Sequence, residues 1–285
     1  LKLGELVRRT ARRFAAARLH YGHGTDNAHD EAAYLVLRAL GRPFHADTDI
    51  PVGDAALRRV DKLASRRIRE RIPTAYLLNE AWLDGLPFYV DRRVIVPRSH
   101  IAGLLHSWPG PARSVLDMCA GSACLAVLAA RAFPRAKVDA VDISKASLAV
   151  AERNRKLHKL QGRLSLIQSD LFTSLKERYD LILTNPPYVP QADMRRLPAE
   201  YRHEPGLALG AGEDGMDLVA RILAAAPDHL RPGGALVCEI GDNRRALERR
   251  YPRLPLSWPR PEVFIWQSAR STAASRSRSS RGRDG

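Results

Sequence analysis

Cysteine is scarce: Cys119, Cys124 and Cys238 are the whole set in 285 residues. Their spacing is not that of a zinc or iron–sulfur ligand set, and an odd count makes no disulfide framework, so a metal centre is disfavoured and a reduced, cytoplasmic setting is expected. No run approaches the roughly 18 consecutive apolar residues of a membrane span. There is no charged-then-apolar amino end with a small-residue cleavage site. Glycine is thin where a dinucleotide site needs it: no G-x-G-x-x-G follows a strand, and there is no P-loop. Aromatic residues make up 6% of the chain, and none are interleaved with a basic stretch as in a single-strand nucleic-acid binder. Acidic residues are in deficit, 31 against 46 Lys plus Arg, for a net charge of +15. That balance favours contact with nucleic acid or with something coated in it; an arginine-rich genome is the competing explanation.

What is present divides into regions. Residues 1–73 read as three helices, the first carrying Leu3, Leu6, Val7, Phe14 and Leu19 near helical spacing and closing at Gly22 and Gly24. The second runs from capping-type residues to Gly41, and the third from Asp54 to Pro73. The third is strongly basic (Arg58, Arg59, Lys62, Arg66, Arg67, Arg69, Arg71), which reads as a solvated face or as a docking surface for an acidic partner. In residues 74–110, FYV and VIV are strand-like runs joined through Asp91, Arg92 and Arg93, and a turn lies in WLDGLPF, so a linking β-hairpin is expected. From 111 to 267, apolar strands alternate with helices, the pattern of an α/β fold with a doubly wound, mostly parallel sheet. Residues 268–285 are low-complexity Ser/Arg and are expected to be disordered.

Within the α/β part, VLDMCAGSACLAVLAARA is a buried strand, a tight loop and an apolar helix. Small residues at Ala120, Gly121, Ser122 and Ala123 let backbone approach a ligand at the helix's amino end. Asp142 ends the next strand, 21 residues after Gly121, where an acid can accept from both hydroxyls of a ribose. Asp117 ends the first strand, and Asp170 with Leu171 follows the third, placed for an adenine amine and ring. Any one of these acids alone could equally be a helix N-cap. Three at successive strand ends, without a phosphate cradle, favour a nucleoside cofactor lacking pyrophosphate, such as S-adenosylmethionine.

TNPPYVP then follows the strand YDLIL. Two prolines cannot extend a central strand, so they set a stiff turn at its carboxyl end, where open α/β sheets bind ligands. D-x-x-x-G-S, VDIS, SDLF and TNPPYV in this order resemble the S-adenosylmethionine-dependent amino-methyltransferases with an NPPY motif. The stretches RIPTAYLLNEAWLDGLPFYVDRRVIVPRSHI, MRRLPAEYRHEPGLALGAGEDGMDL and LRPGGALVCEIG are similar to the N5-glutamine methyltransferases, over residues 5–266. FYVD with VPRS and the LPAEYRHEP insert are most similar to members acting on large-subunit ribosomal protein 3.

The resemblance implies a Rossmann-like S-adenosylmethionine methyltransferase domain behind a small N-terminal helical domain that docks substrate. It implies that Asp117, Cys119, Ala120, Gly121, Ser122, Ala123, Asp142, Asp170, Leu171 and Asn185 hold S-adenosyl-L-methionine, and that Asn185, Pro186, Pro187 and Tyr188 hold the substrate amide. It implies a ribosomal-protein partner, within assembling particles and close to ribosomal RNA. Two departures stand out: Cys119 and Ala123 occupy positions where relatives carry glycine, and Arg260, Pro261 and Glu262 replace a glycine-rich turn in the last hairpin. For chemistry, the Asn185 side-chain oxygen and the Pro186 carbonyl can accept the two N–H groups of an amide, with Tyr188 against its flat face. Glu204 and Pro205 are expected to brace this turn, His203 to be structural, and Arg98 to meet substrate or a carboxylate. Competing readings are release-factor glutamine methylation, adenine N6-methylation with Tyr188 stacked on a flipped base, and a non-catalytic ribosome-associated module.

Overall fold

The computed structural model describes residues 1–269. The expected disordered tail lies outside them, apart from Ser268 and Ala269. Ser268 is not free: its N–H donates to the Gly234 carbonyl at 2.9 Å and its hydroxyl to the Arg231 carbonyl at 2.7 Å.

Three helices, α1 (Leu3–Ala16), α2 (Ala28–Ala39) and α3 (Asp54–Glu70), share one apolar core that includes Leu3, Phe14, Leu35 and Val60. α1 ends before the glycines that the sequence suggested, because Arg18 turns left-handed at φ 49°. Asn27 caps α2 by accepting from Asp30 N at 2.9 Å. α3 is not uniformly a solvated basic face. Arg58, Arg59, Lys62 and Arg69 are exposed, but Arg67 is buried and pairs with Glu31 at 2.5 Å and Glu200 at 3.1 Å.

After α4 (Thr74–Leu78), the hairpin forms earlier than expected, from β1 (Ala81–Leu83) and β2 (Leu86–Phe88). Asp84 and Gly85 make its turn, both at positive φ (51° and 73°), the geometry for which Asp-Gly is suited. Of FYV only Phe88 lies in a strand, at the end of β2, and VIV is not a strand. Their backbone groups are taken by side chains from elsewhere: Asn154 bonds both the N–H and the carbonyl of Tyr89, Asn79 the Val90 carbonyl, and Tyr76 the Val94 carbonyl. Buried backbone needs partners, and here the partners are not another strand.

The α/β part follows α5 (Ile101–Leu105): β3 (Ser114–Met118), α6 (Cys124–Ala132), β4 (Lys137–Asp142), α7 (Lys145–Leu157), β5 (Leu164–Gln168) and β6 (Tyr179–Thr184). The chain then crosses the insert, with α8 (Gln191–Met194) and two 3₁₀ turns, before α9 (Asp217–His229), β7 (Leu230–Glu239), α10 (Arg244–Arg250), β8 (Leu256–Arg260) and β9 (Val263–Gln267). The seven-stranded sheet has the order β5-β4-β3-β6-β7-β9-β8, parallel except for β9 against β7 and β8. Alternation along the strands divides the core. Leu181, Leu183, Ala235 and Val237 face α5 and α6, while Ile182, Leu236, Cys238 and Phe264 face α9 and α10. The last hairpin forms without a glycine-rich turn: Arg260 pairs with Val263 across Pro261 and Glu262.

Strand order reverses beside β3, which pairs with β4 on one side and β6 on the other. The carboxyl ends of β3 and β6 therefore flank the crevice where open α/β sheets take ligands.

Candidate active site

A cavity of about 250 Å³ opens at that crevice, lined among others by Cys119, Gly121, Asp142, Asp170, Leu171, Asn185 and Pro187. The loop after β3 turns tightly because Cys119, Gly121 and Ala123 all adopt left-handed φ (60°, 54° and 60°). For Cys119 and Ala123 that conformation costs roughly 1–2 kcal/mol each, since an L-residue's Cβ crowds the following carbonyl. Burial, then the Asp142 and Asp117 carboxylates, push the Cys119 thiol up to about 12, so it lines the cavity as a neutral group.

Asp142 holds this loop together. One carboxylate oxygen accepts from Gly121 N and the other from Ser144 N, both at 2.8 Å, and each oxygen keeps a lone pair for a ligand. Burial raises its pKa. Asp170 faces the cavity and pairs with Arg221 at 2.8 Å; Leu171 beside it is left-handed at φ 50°.

Asp117 lies elsewhere. It is absent from the cavity wall, buried beneath the loop, and accepts from Ala126 N at 2.8 Å, so it caps α6 across the turn. Burial pushes its carboxyl up to about 7, with Asp142 adding to the rise and the Ala126 bond opposing it. A folded-state pKa above the unfolded value of about 3.9 means the fold prefers the neutral acid. Stability from this group is complete below about pH 4 and is lost as pH rises through about 7. Asp117→Asn keeps an acceptor for Ala126 without the charge. Its melting temperature is expected to match wild type near pH 4 and to exceed it increasingly toward pH 7; parallel curves would assign the burial no titration cost.

The NPPY turn leaves β6 with Asn185 at the cavity wall. Asn185 Nδ2 donates to the Arg98 carbonyl at 3.2 Å, which turns Oδ1 the other way. No described residue donates to Oδ1 or to the Pro186 carbonyl. Pro186 is buried and, like Ala120, Ser122 and Ala123, is not part of the wall. Tyr188 also sits to one side, its ring packed on Gly241 and its carbonyl accepting from Asn243 Nδ2 at 2.8 Å. Two glycines make that seat. A Cβ on Gly241 (φ 54°) would fall 2.7 Å from the Tyr188 ring, and one on Gly215 (φ 76°) 2.4 Å from the Tyr188 carbonyl.

Arg98 meets a carboxylate: Glu204 takes its guanidinium in a fork at 2.6 and 2.6 Å and accepts from Val96 N at 2.9 Å. Burial alone would lower the Arg98 pKa, but the Glu204 bonds raise it. Glu204 thus fixes residues 96–98 and, through the Arg98 carbonyl, the orientation of Asn185. Glu239, at the end of β7, holds the same segment from the far side, bonding Ser99 Oγ at 2.6 Å and His100 N at 3.0 Å. His203 is remote and contacts the Glu70 carbonyl at 2.8 Å. Sequence reading missed Glu239, Gly215 and Gly241; the CEIG motif ending β7 was the available signal for two of them.

The wall suits a nucleoside without phosphates. Apolar groups from Met118, Val141, Ile143 and Leu171 predominate, and the cations present are already paired, Arg93 with Asp91 and Arg221 with Asp170. Among the described residues no cluster could hold a metal ion, and no helix is long and apolar enough to cross a membrane.

The methyltransferase small domain family matches residues 102–199. A ribosomal protein uL3 glutamine methyltransferase from Bordetella pertussis is 53% identical over 90% of this chain and 90% of its own length. One from Burkholderia pseudomallei is 48% identical, covering 89% of each. Among solved structures, a methyltransferase from Pyrococcus furiosus aligns with 66% of this chain and 91% of its own at 20% identity, with a TM-score of 0.49. The identity and coverage of the two sequence relatives place this chain in the ribosomal protein uL3 glutamine methyltransferase family, whose methyl donor is S-adenosylmethionine.

Proposed function

We propose that this chain methylates the side-chain nitrogen of a glutamine in ribosomal protein uL3. The observation that carries the reading is the acceptor at the cavity wall, Asn185 Oδ1, followed in the same turn by the buried Pro186 carbonyl, neither engaged by a described donor. An amide nitrogen is a weak nucleophile because its lone pair is delocalised into the carbonyl. Accepting from both of its N–H groups fixes it in line and favours electron density on nitrogen as charge develops. Bound S-adenosylmethionine supplies the electrophilic methyl group. In this reading Asp142 grips the ribose, Asp170 and Leu171 meet the adenine, Gly121 and its neighbours give close backbone approach, and Asp117 acts from beneath by holding α6. Tyr188, seated by Gly215 and Gly241, closes the side of the clamp away from the cavity. Residues 1–73 serve as the docking domain, 74–110 as the linker and 111–267 as the catalytic domain. The exposed arginines of α1 and α3 give the docking side a basic face for ribosomal RNA beside the protein substrate.

The test is transfer of labelled methyl groups to separated ribosomal proteins, release factors and nucleic acid. Label confined to uL3 is expected, and label in a release factor or in RNA would select a competing reading. Asp142→Ala is expected to weaken S-adenosylmethionine binding at least about tenfold, ~1.4 kcal/mol, by isothermal titration. An unchanged affinity in a folded variant would remove the ribose assignment.

A further inference from the structure

At the amino ends of the parallel strands, the end of the sheet away from the NPPY turn, five adjacent strands each carry a cation. Arg163 precedes β5, Lys137 opens β4, Arg113 precedes β3, Arg178 precedes β6, and Arg231 is the second residue of β7. These strands are neighbours in that order, so the five side chains start from a row. At about 4.8 Å per strand interval the row is about 19 Å long. All five residues line one groove of about 560 Å³.

Their charge is largely uncompensated. No described residue bonds or pairs with the side chains of Arg113, Lys137 and Arg178, which are all exposed. Arg163 donates to the Ala130 and Pro134 carbonyls at 3.0 and 2.9 Å, where α6 ends; these neutral partners leave its charge in place. Arg231 lies 3.6 Å from Asp180, whose other oxygen accepts from Arg113 N and Ser114 N at 2.8 and 2.9 Å. Two acids share the wall. Asp139 accepts from the Tyr179 hydroxyl at 2.8 Å, which leaves Glu177 as the one without a described side-chain partner.

A line of positive charge suits a linear polyanion. A small anion needs cations that converge, or backbone N–H groups at a helix amino end; here α6 presents its carboxyl end, already taken by Arg163. Base stacking is not available, since Tyr179 is the groove's one aromatic residue and is buried. Contacts therefore go to phosphates, several of which one nucleic-acid strand places within the length of the row. The chain's own carboxyl-terminal segment is excluded as occupant by its charge: residues 270–285 hold five arginines and one acid.

We propose that this row binds the phosphate backbone of a single RNA strand, without reading its sequence, at the end of the sheet opposite the active site. The choice of RNA among polyanions rests on the uL3 reading, because RNA surrounds a ribosomal protein. Binding is measured without methyl transfer, so the two fail separately.

The test is fluorescence anisotropy of a labelled oligouridine of about 12 nucleotides, titrated with the full chain at several salt concentrations. Arg113, Lys137 and Arg178 are changed together to Gln. A control changes Arg245, Arg249 and Arg253, exposed on and after α10, to Gln, removing the same charge elsewhere. The row variant is expected to bind at least about tenfold more weakly, with the slope of log affinity against log salt flattened by about 2, three single-strand phosphate contacts. The control should stay within about threefold of wild type, and both should keep S-adenosylmethionine affinity. Equal losses in the two variants would show a response to net charge alone and overturn the site, as would an unchanged row variant or a wild type that does not bind the RNA. Competition by poly-glutamate as strong as by unlabelled oligouridine would replace RNA with an acidic protein. Should the row variant not fold, Lys137→Gln alone is expected to lose about threefold, and no loss there would overturn the site equally.

Discussion

Replacing Glu204 with alanine is expected to lower the unfolding free energy by about 3 kcal/mol and to cut methyl transfer far more than cofactor affinity. Removing one partner of a buried ion pair costs about 3–5 kcal/mol, because the other charge stays behind uncompensated. Arg98 keeps 28% of its side chain exposed, so water would screen part of that charge, and the lower end applies. Val96 N would also lose its acceptor, a further penalty for a buried donor. Chemical denaturation measures the stability loss. The catalytic loss has a different origin: once Arg98 is free to move, its carbonyl no longer fixes the Asn185 amide, and Oδ1 loses its aim. That distinction can be tested with a double-mutant cycle. If Glu204 acts on transfer through Asn185, Asn185→Ala should cost much less in the Glu204→Ala background than in wild type. Fully additive losses would make Glu204 a stability residue alone.

How much of this was legible in the sequence depends on where each residue finds its partners. The alternating α/β segment and its strand-end acids could be read because parallel strands buried on both faces leave continuous apolar runs that stop abruptly at polar residues. Asp142 and Asn185 stand at such stops, and both reach the crevice. Asp117 stands at one too, yet its carboxylate turns under the loop to Ala126; the spacing is the same for a cap and for a ligand contact. FYV and VIV misled because apolar β-branched runs suit a strand, while the groups that hold them instead, Asn154 and Glu204, come from distant elements. Arg67 looked like one more surface charge on α3. Its partner Glu200 is 133 residues away, in the insert, and no local pattern encodes that pairing. Gly215 and Gly241 matter because Tyr188 approaches them in space, which is likewise a tertiary fact.

Asn185→Ala is expected to lose methyl transfer by roughly 100-fold or more, ~2.7 kcal/mol or above, the scale for removing one preorganised polar contact aimed at developing charge. S-adenosylmethionine affinity should largely survive, because the wall on the Asp142 side is untouched. The geometry sharpens the comparison with Asn185→Asp. Asparagine at 185 does two things: Nδ2 donates to the Arg98 carbonyl, and Oδ1 is left to accept. Aspartate keeps the shape and an acceptor but has no proton for Arg98, so one carboxylate oxygen would confront a carbonyl oxygen across the same gap. The added negative charge would also favour a positive neighbour before transfer, and that benefit fades as the positive charge is neutralised during the reaction. Both effects oppose turnover, while the retained acceptor supports it. Asn185→Asp should therefore fall between alanine and wild type. Single-turnover methylation of uL3 at saturating cofactor ranks the three proteins. If Asn185→Ala turned over at nearly the normal rate, the NPPY turn would be a strand-to-helix connection without a role in holding the amide. If Asn185→Asp matched wild type, the Arg98 anchor would be irrelevant to the aim of Oδ1, and the link from Glu204 through Arg98 to the reacting nitrogen would fail with it.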